Sequence, residues 1–188
     1  MGIGKTTTAK VIAADLKYHL LEENFKENPF LKDAAKDPDH YALPSQIHFL
    51  MEKRQQNIVA QQLLKKEGVV QDTPLEQDVF SYARALLYGP QWDEYFDLYK
   101  IFQEKLAKPS LVVCLETSVL VNMERIHERG RDFENDVTMD YVKRLTELNY
   151  EWIKKSGIPV VFIQTDNLNI VQSAVARKKM IDIVRKQL

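Results

Sequence analysis

The sequence has little cysteine, little excess charge and no long apolar run. Its 188 residues contain a single cysteine, Cys114, so no disulfide framework can form, and its apolar neighbours predict a core position. The net charge is −1, which gives no bulk attraction to nucleic acid or to a membrane surface. Neither a signal peptide nor a run of about 18 apolar residues is apparent. We therefore expect a single cytoplasmic domain over residues 1–188, with no nucleic-acid or membrane partner.

Short apolar runs alternate with longer amphipathic segments along the chain. The runs lie at residues 19–23, 68–72, 110–116 and 158–165. Val and Ile dominate the last two, as is typical of strands that are buried on both faces. The intervening segments, from about Leu43 to Lys66 and from about Met139 to Lys155, have helical periodicity. Strands that alternate with helices predict an α/β fold with a parallel sheet and right-handed crossovers.

The chain opens with "MGIGKTTTAK", in which Gly2, Gly4, Lys5 and Thr6 match the second half of a phosphate-binding loop, G-x-x-x-x-G-K-[ST]. In such a loop, backbone N–H groups and a helix N-terminus hold phosphates, the lysine reaches the β- and γ-phosphates, and the hydroxyl holds Mg²⁺. The first glycine and the strand before it have no counterpart. Because that strand is central in such sheets and stabilises them by about 10 kcal/mol, we expect Met1 to be an internal residue of a longer natural chain.

A second basic motif, "RIHERGRDFE", occupies residues 125–134. Arg125 and Arg129 are four residues apart on one predicted helical face, and Arg131 follows Gly130, where the helix is expected to end. Three guanidinium groups from one segment suit a phosphoryl transition state, whose charge is spread over oxygens. By itself the motif is equally consistent with a solvated basic helix end. Beside a phosphate-binding loop it predicts a kinase lid over residues of about 125–137.

Together, "GIGKTT", "EENFKENPFL", "SQIHFLMEKR", "RIHERGRDFE" and "PVVFIQTDNL" resemble the deoxynucleoside kinase family, particularly its bacterial deoxyadenosine/deoxyguanosine kinase branch. The similarity runs over nearly the whole chain. It implies a three-layer P-loop kinase with a parallel sheet, normally five-stranded, whose first strand is missing from this chain, and an arginine-rich lid. The implied activity is ATP-dependent phosphorylation of a deoxynucleoside, with a purine base favoured, at the 5′-hydroxyl. The implied cofactor is Mg²⁺ with ATP, and the implied assembly is a homodimer.

The resemblance also implies roles on the acceptor side. Glu23 falls where the family keeps the general base for the 5′-hydroxyl proton, with Glu22 as the adjacent alternative. Gln46 matches the glutamine that reads the base, since an amide offers both a donor and an acceptor. Lys53 and Asp78 fall at further positions near the base.

On the phosphate side, the resemblance implies catalytic roles for Arg129 and Arg131, and it places Glu134 on the sugar 3′-hydroxyl. Thr6 would be the direct metal ligand, with Asp72 near Mg²⁺. The implied ATP-binding set is Gly2, Gly4, Lys5, Thr6, Thr7, Arg125, Asp166 and Asn167.

Two positions depart from the family pattern. Where relatives read acidic-Arg-Ser after the third strand, this chain has Asp72, Thr73 and Pro74, and Ala35 replaces a tyrosine that touches the 3′-hydroxyl. These losses suggest an altered substrate or a catalytically impaired, nucleotide-binding paralogue that acts as a partner subunit. A nucleoside monophosphate kinase is the other alternative, but it would need a further basic site for the acceptor's phosphate.

Overall fold

The computed structural model describes residues 1–103 and 106–188, in which helices alternate with short strands. The helices are α1 Lys5–Leu16, α2 Leu31–Lys36, α3 Pro38–Leu63, α4 Leu75–Gln77, α5 Arg84–Leu86, α6 Pro90–Gln103, α7 Val119–Arg129, α8 Met139–Ser156 and α9 Ala174–Arg185. The strands are β1 His19–Leu21, β2 Val69–Gln71, β3 Val112–Glu116 and β4 Val160–Gln164. Each strand lies within one of the predicted apolar runs, which confirms the α/β class.

The strands form two parallel pairs. Leu20 of β1 lies opposite Val70 of β2, and Cys114 of β3 lies opposite Phe162 of β4. In the part of the chain that the structure describes, the ladder is interrupted between β2 and β3, where a cavity of about 320 Å³ is lined by both strands and by Trp152. The parallel arrangement is confirmed, while the further central strand stays a prediction.

Helix α3 carries polar side chains into the interior. The helix begins after Asp37, whose side chain accepts a hydrogen bond from the His40 N–H group, with a proline at its first position; both features favour a helix start. Gln46 and Lys53 are 5% and 0% exposed, and their spacing of seven residues places them on one face. A helix that buries an amide and an ammonium group beside the apolar Leu50 indicates a polar site inside the fold.

Helix α7 leads from the sheet to the predicted lid. Its first turn is capped by the Ser118 hydroxyl, which accepts from the Val121 N–H group at 3.3 Å. Its last residue is followed by Gly130 in the left-handed region (φ 60°, ψ 45°), a conformation that glycine adopts without steric cost. The predicted helix end is therefore confirmed.

The apolar core is divided between two main clusters. One lies between α3 and α6 and includes Leu50, Val79 and Tyr95; the other packs α1 and α9 against β3 and β4 and includes Ile163 and Met180. Cys114 is buried, as predicted, and burial raises the pKa of its thiol to about 11. None of the helices of the described ranges could cross a bilayer.

Candidate active site

The glycine-rich loop enters α1 as the motif requires. Gly2 and Gly4 have φ values of 66° and 88°, in the left-handed region that favours glycine. Gly4 immediately precedes α1, whose first N–H groups have no partner within the helix and so can bind an anion. Thr7 lies in the first turn of the same helix.

Gly2 also packs closely against α7, so any side chain at this position is expected to lower the free energy of unfolding. A Cβ atom on Gly2 would lie 2.3 Å from Asn122 Oδ1 and 2.8 Å from Ile126 Cγ1. Gly2→Ala is expected to lower stability by about 1–2 kcal/mol through its backbone conformation and by about 1–3 kcal/mol through overpacking. Gly89→Ala is the matched control, because Gly89 shares the positive φ but has nothing within 4 Å. Equal melting temperatures for the two variants would contradict this packing argument.

Lys5 contacts a tyrosine that the sequence patterns did not single out. Its Nζ donates a hydrogen bond to the Tyr82 hydroxyl at 2.9 Å. Burial works against the ammonium group, but Tyr82 and Glu23 outweigh it and raise the pKa of Lys5 above its ordinary value. For Tyr82, burial raises the pKa above its ordinary value, so the hydroxyl stays neutral. Tyr82 lies in the π-helical turn Asp78–Ala83, whose widened geometry no local sequence signal predicts.

Thr6 and Asp72, the two predicted metal-side residues, come together. The Thr6 hydroxyl donates to Asp72 Oδ2 at 2.6 Å, although the residues are 66 positions apart. Asp72 Oδ1 is buried and has no hydrogen-bond partner among the described residues. A hydroxyl and a free carboxylate oxygen fit Mg²⁺, which keeps several waters and takes few protein ligands. No group of three or more His, Cys, Asp or Glu residues that could hold a metal ion is found in the described ranges.

Three of the residues predicted for the acceptor side, Glu23, Lys53 and Asp78, lie near one another; Lys53 and Asp78 are buried and Glu23 is partly exposed. Lys53 Nζ lies 3.4 Å from Glu23 Oε1. Burial would raise the pKa of Glu23, but Lys53 and Lys5 outweigh it and lower that pKa below its ordinary value. Burial raises the pKa of Asp78 well above its ordinary value despite Lys53. The pKa values of these two neighbouring carboxyl groups are therefore shifted in opposite directions, a division typical of acid–base sites.

Several buried polar atoms of this region have no hydrogen-bond partner among the described residues. They are Gln46 Oε1, Asp78 Oδ2 and Ser81 Oγ. Buried polar groups are rarely left without partners, so their concentration here indicates the place of a polar ligand. Glu22, the alternative base, instead forms a half-exposed ion pair with Lys10 at 2.9 Å.

The three arginines of the predicted lid divide between two partners. Arg129 binds Glu134 through Nη2–Oε2 and Nε–Oε2 contacts of 2.6 and 3.1 Å, and Arg131 Nη1 lies 3.6 Å from Glu134 Oε1. Arg125 instead donates to the Thr165 carbonyl oxygen at 2.7 Å. The structure thus brings Arg129 and Arg131 together but directs Arg125 to the end of β4, because Thr165 offers it two oxygens there. Both oxygens of the buried Glu134 accept from Arg129.

The remaining predicted residues lie near Arg125 or away from the cluster. Asp166 accepts from the Thr117 hydroxyl at 2.6 Å and from the Ser118 N–H group at 2.8 Å, and these bonds lower its pKa. Asn167 is exposed. Thr73 is fully buried, and its hydroxyl has no partner among the described residues. Ala35 lies exposed on α2.

Comparison with known proteins assigns the chain. The family model described as deoxynucleoside kinase matches residues 1–188. The deoxyadenosine kinase of Dictyostelium discoideum is 31% identical over 170 residues, which cover 87% of this chain and 68% of that protein. The deoxyguanosine kinase of Bacillus subtilis (strain 168) is 25% identical over 147 residues, 77% of this chain and 70% of that protein.

Among solved structures, deoxyadenosine kinase from M. mycoides with bound dATP superposes with a TM-score of 0.80 at 22% identity, covering 100% of this chain and 94% of that one. The same enzyme with bound dCTP gives a TM-score of 0.78 at 23% identity. At this identity the superposition shows the P-loop kinase fold. Since the family model spans the whole chain, the protein belongs to the deoxynucleoside kinase family.

Proposed function

We propose that this nucleoside kinase transfers the γ-phosphoryl group of ATP to the 5′-hydroxyl of a deoxynucleoside, with a purine base preferred. The observation that carries the proposal is the Glu23 carboxylate, which lies 3.4 Å from the buried Lys53 ammonium group and which Lys53 and Lys5 of the phosphate-binding loop keep ionised by lowering its pKa. A carboxylate so placed can accept the alcohol proton as the phosphoryl group arrives.

Positioning and charge account for most of the catalysis. The loop N–H groups and Lys5 hold the β- and γ-phosphates, and Arg129 and Arg131 turn from Glu134 toward the charge that develops during transfer. Thr6 and Asp72 would hold Mg²⁺, which would offset the negative charge of the phosphates. Glu134, released by the arginines, then accepts a hydrogen bond from the sugar 3′-hydroxyl.

The purine preference is supported by two observations. The D. discoideum and B. subtilis relatives are named as deoxyadenosine and deoxyguanosine kinases. In addition, the buried Gln46 offers an amide, whose donor and acceptor can match the mixed donor and acceptor edge of a purine. A cytoplasmic homodimer remains part of the proposal on family resemblance alone.

A panel assay tests the proposal. The protein is incubated with ATP, Mg²⁺ and each deoxynucleoside or deoxynucleoside monophosphate, and ADP and phosphorylated product are both quantified. Product from deoxyadenosine or deoxyguanosine supports the proposal. Product from monophosphates alone would identify a nucleoside monophosphate kinase. Nucleotide binding without any turnover would identify the impaired paralogue that Thr73 and Ala35 suggest.

The contact between Tyr82 and Lys5 gives a further prediction for this reaction. Tyr82→Phe removes only the hydroxyl, and a hydrogen bond to a charged group contributes about 1.5–3 kcal/mol, so we expect kcat/KM for ATP to fall by roughly 10- to 100-fold. Tyr99→Phe is the control, because it removes a hydroxyl from another buried tyrosine, in α6, that does not contact Lys5. An unchanged kcat/KM in Tyr82→Phe would show that Lys5 needs no such partner.

A further inference from the structure

The segment after Glu23 forms a fixed support for an aromatic ring. Phe25 lies in the short 3₁₀ turn Phe25–Glu27. Before it, the Asn24 N–H group donates to Glu52 of α3 at 2.9 Å. After it, the buried Asn28 side chain donates to the Ser45 carbonyl oxygen and hydroxyl at 3.1 and 3.0 Å. Because both ends of the turn are tied to one long helix, the Phe25 ring has a fixed position.

The third lid arginine lies on this ring. Arg131 Cζ is 3.9 Å from the centre of the Phe25 ring and 5.9 Å from that of Phe133, and the two rings are 5.8 Å apart. Distances below about 6 Å over a ring face are cation–π contacts. The Arg131 side chain is only 31% exposed, and its Nη1 atom lies 3.6 Å from Glu134 Oε1. The contact is therefore partly desolvated and stronger than at an open surface. We call Phe25, Arg131 and Phe133 the aromatic clamp.

We propose that Phe25 is a positioning residue that holds the lid against the segment carrying Glu23, through its ring contact with Arg131. The aromatic clamp joins the lid to the segment that follows strand β1 and carries Glu23. The distance from Arg129 and Arg131 to the proposed base, Glu23, is thereby fixed before substrate binds. The expected effect on ATP hydrolysis rests on the proposed function, whereas the expected effect on lid opening does not.

Two consequences follow from the clamp. Without it the lid opens more often, and the segment around Arg129 and Arg131 becomes accessible to trypsin in proportion to the open population. An open lid also admits water to the phosphates, because lid closure sequesters the reaction. The clamp should therefore limit ATP hydrolysis that is not coupled to nucleoside phosphorylation.

The test compares three variants of the full chain. Phe25→Leu removes the ring while keeping an apolar side chain, and Phe25→Trp keeps a ring suited to cations. Phe102→Leu is the matched control, because Phe102 makes the same kind of contact with Arg54, at 4.9 Å, away from the lid. The measurements are melting temperature, the trypsin cleavage rate after Arg129 and Arg131 by mass spectrometry, and the ratio of ADP to phosphorylated nucleoside.

In Phe25→Leu we expect the lid cleavage rate to rise by about 2- to 30-fold, with a higher ratio of ADP to product. Phe25→Trp and Phe102→Leu should retain the rate of the unmodified protein. A lid cleavage rate in Phe25→Leu equal to that in Phe102→Leu would overturn the proposal, whatever the melting temperatures. If the unmodified protein phosphorylates no nucleoside, the proposed function fails, while the trypsin comparison still decides the clamp.

Discussion

Glu23→Gln is expected to lower kcat for nucleoside phosphorylation by about 10²–10⁴-fold, the usual contribution of a positioned general base. Glutamine keeps the size of the side chain but cannot accept the 5′-hydroxyl proton. The neighbouring ammonium groups of Lys53 and Lys5 hold the pKa of Glu23 below its ordinary value, so the carboxylate stays ionised at neutral and mildly acidic pH. Because the loss concerns a proton transfer, KM for ATP should change little.

Glu22→Gln is the matched control for this experiment. Glu22 is the adjacent carboxylate, but it is half-exposed and paired with Lys10. We expect its kcat to stay within about twofold of the parent, as is usual for surface substitutions away from special features. A greater loss of kcat in Glu22→Gln than in Glu23→Gln would reverse the assignment of the base.

Lys53→Met should destabilise the fold and shift the pH dependence of the reaction. Lys53 is fully buried, and breaking a buried ion pair costs about 3–5 kcal/mol. Glu23 keeps 25% of its side chain exposed, so we expect the lower end of this range and a fall in melting temperature of roughly 6–12 °C. Thermal unfolding at pH 7.5 measures this loss.

The pH effect of Lys53→Met has a defined sign. In the parent, the lowered pKa of Glu23 gives a stability contribution that is present above the unfolded pKa and is lost as pH falls through the folded pKa. Removing Lys53 takes away the first cation that lowers this pKa, so the acid limb of kcat/KM should move to higher pH. Lys10→Met, which breaks the exposed pair with Glu22, should cost less than about 1 kcal/mol and leave the profile in place.

Local patterns were sufficient for much of the fold. Short apolar runs marked all four strands that the structure describes, and Val and Ile dominate the runs of β3 and β4, because a strand buried on both faces needs consecutive apolar residues. Gly130 marked the end of α7 because few other residues adopt the left-handed conformation at that position. The sequence "GIGKT" likewise identified the loop before α1, since its chemistry is contained in adjacent residues.

The opposite pKa shifts of Glu23 and Asp78 could not be read from the chain, because nothing in their local sequence predicts them. At Glu23 the ammonium groups of Lys53 and Lys5 outweigh burial and lower the pKa, whereas at Asp78 burial outweighs the same two cations and raises it.

The sequence by itself determined the α/β class, the alternation of strands and helices, the glycine-rich loop before α1 and the basic segment at residues 125–131, because each depends on residues that are neighbours along the chain or along one helix. Only the tertiary structure decided that Arg125 binds Thr165 while Arg129 and Arg131 bind Glu134. It also decided that Tyr82 contacts Lys5 from 77 positions away and that the Arg131 guanidinium group packs on the Phe25 ring. Those contacts join distant segments, and their geometry depends on how helices pack against the two strand pairs, which no local pattern encodes.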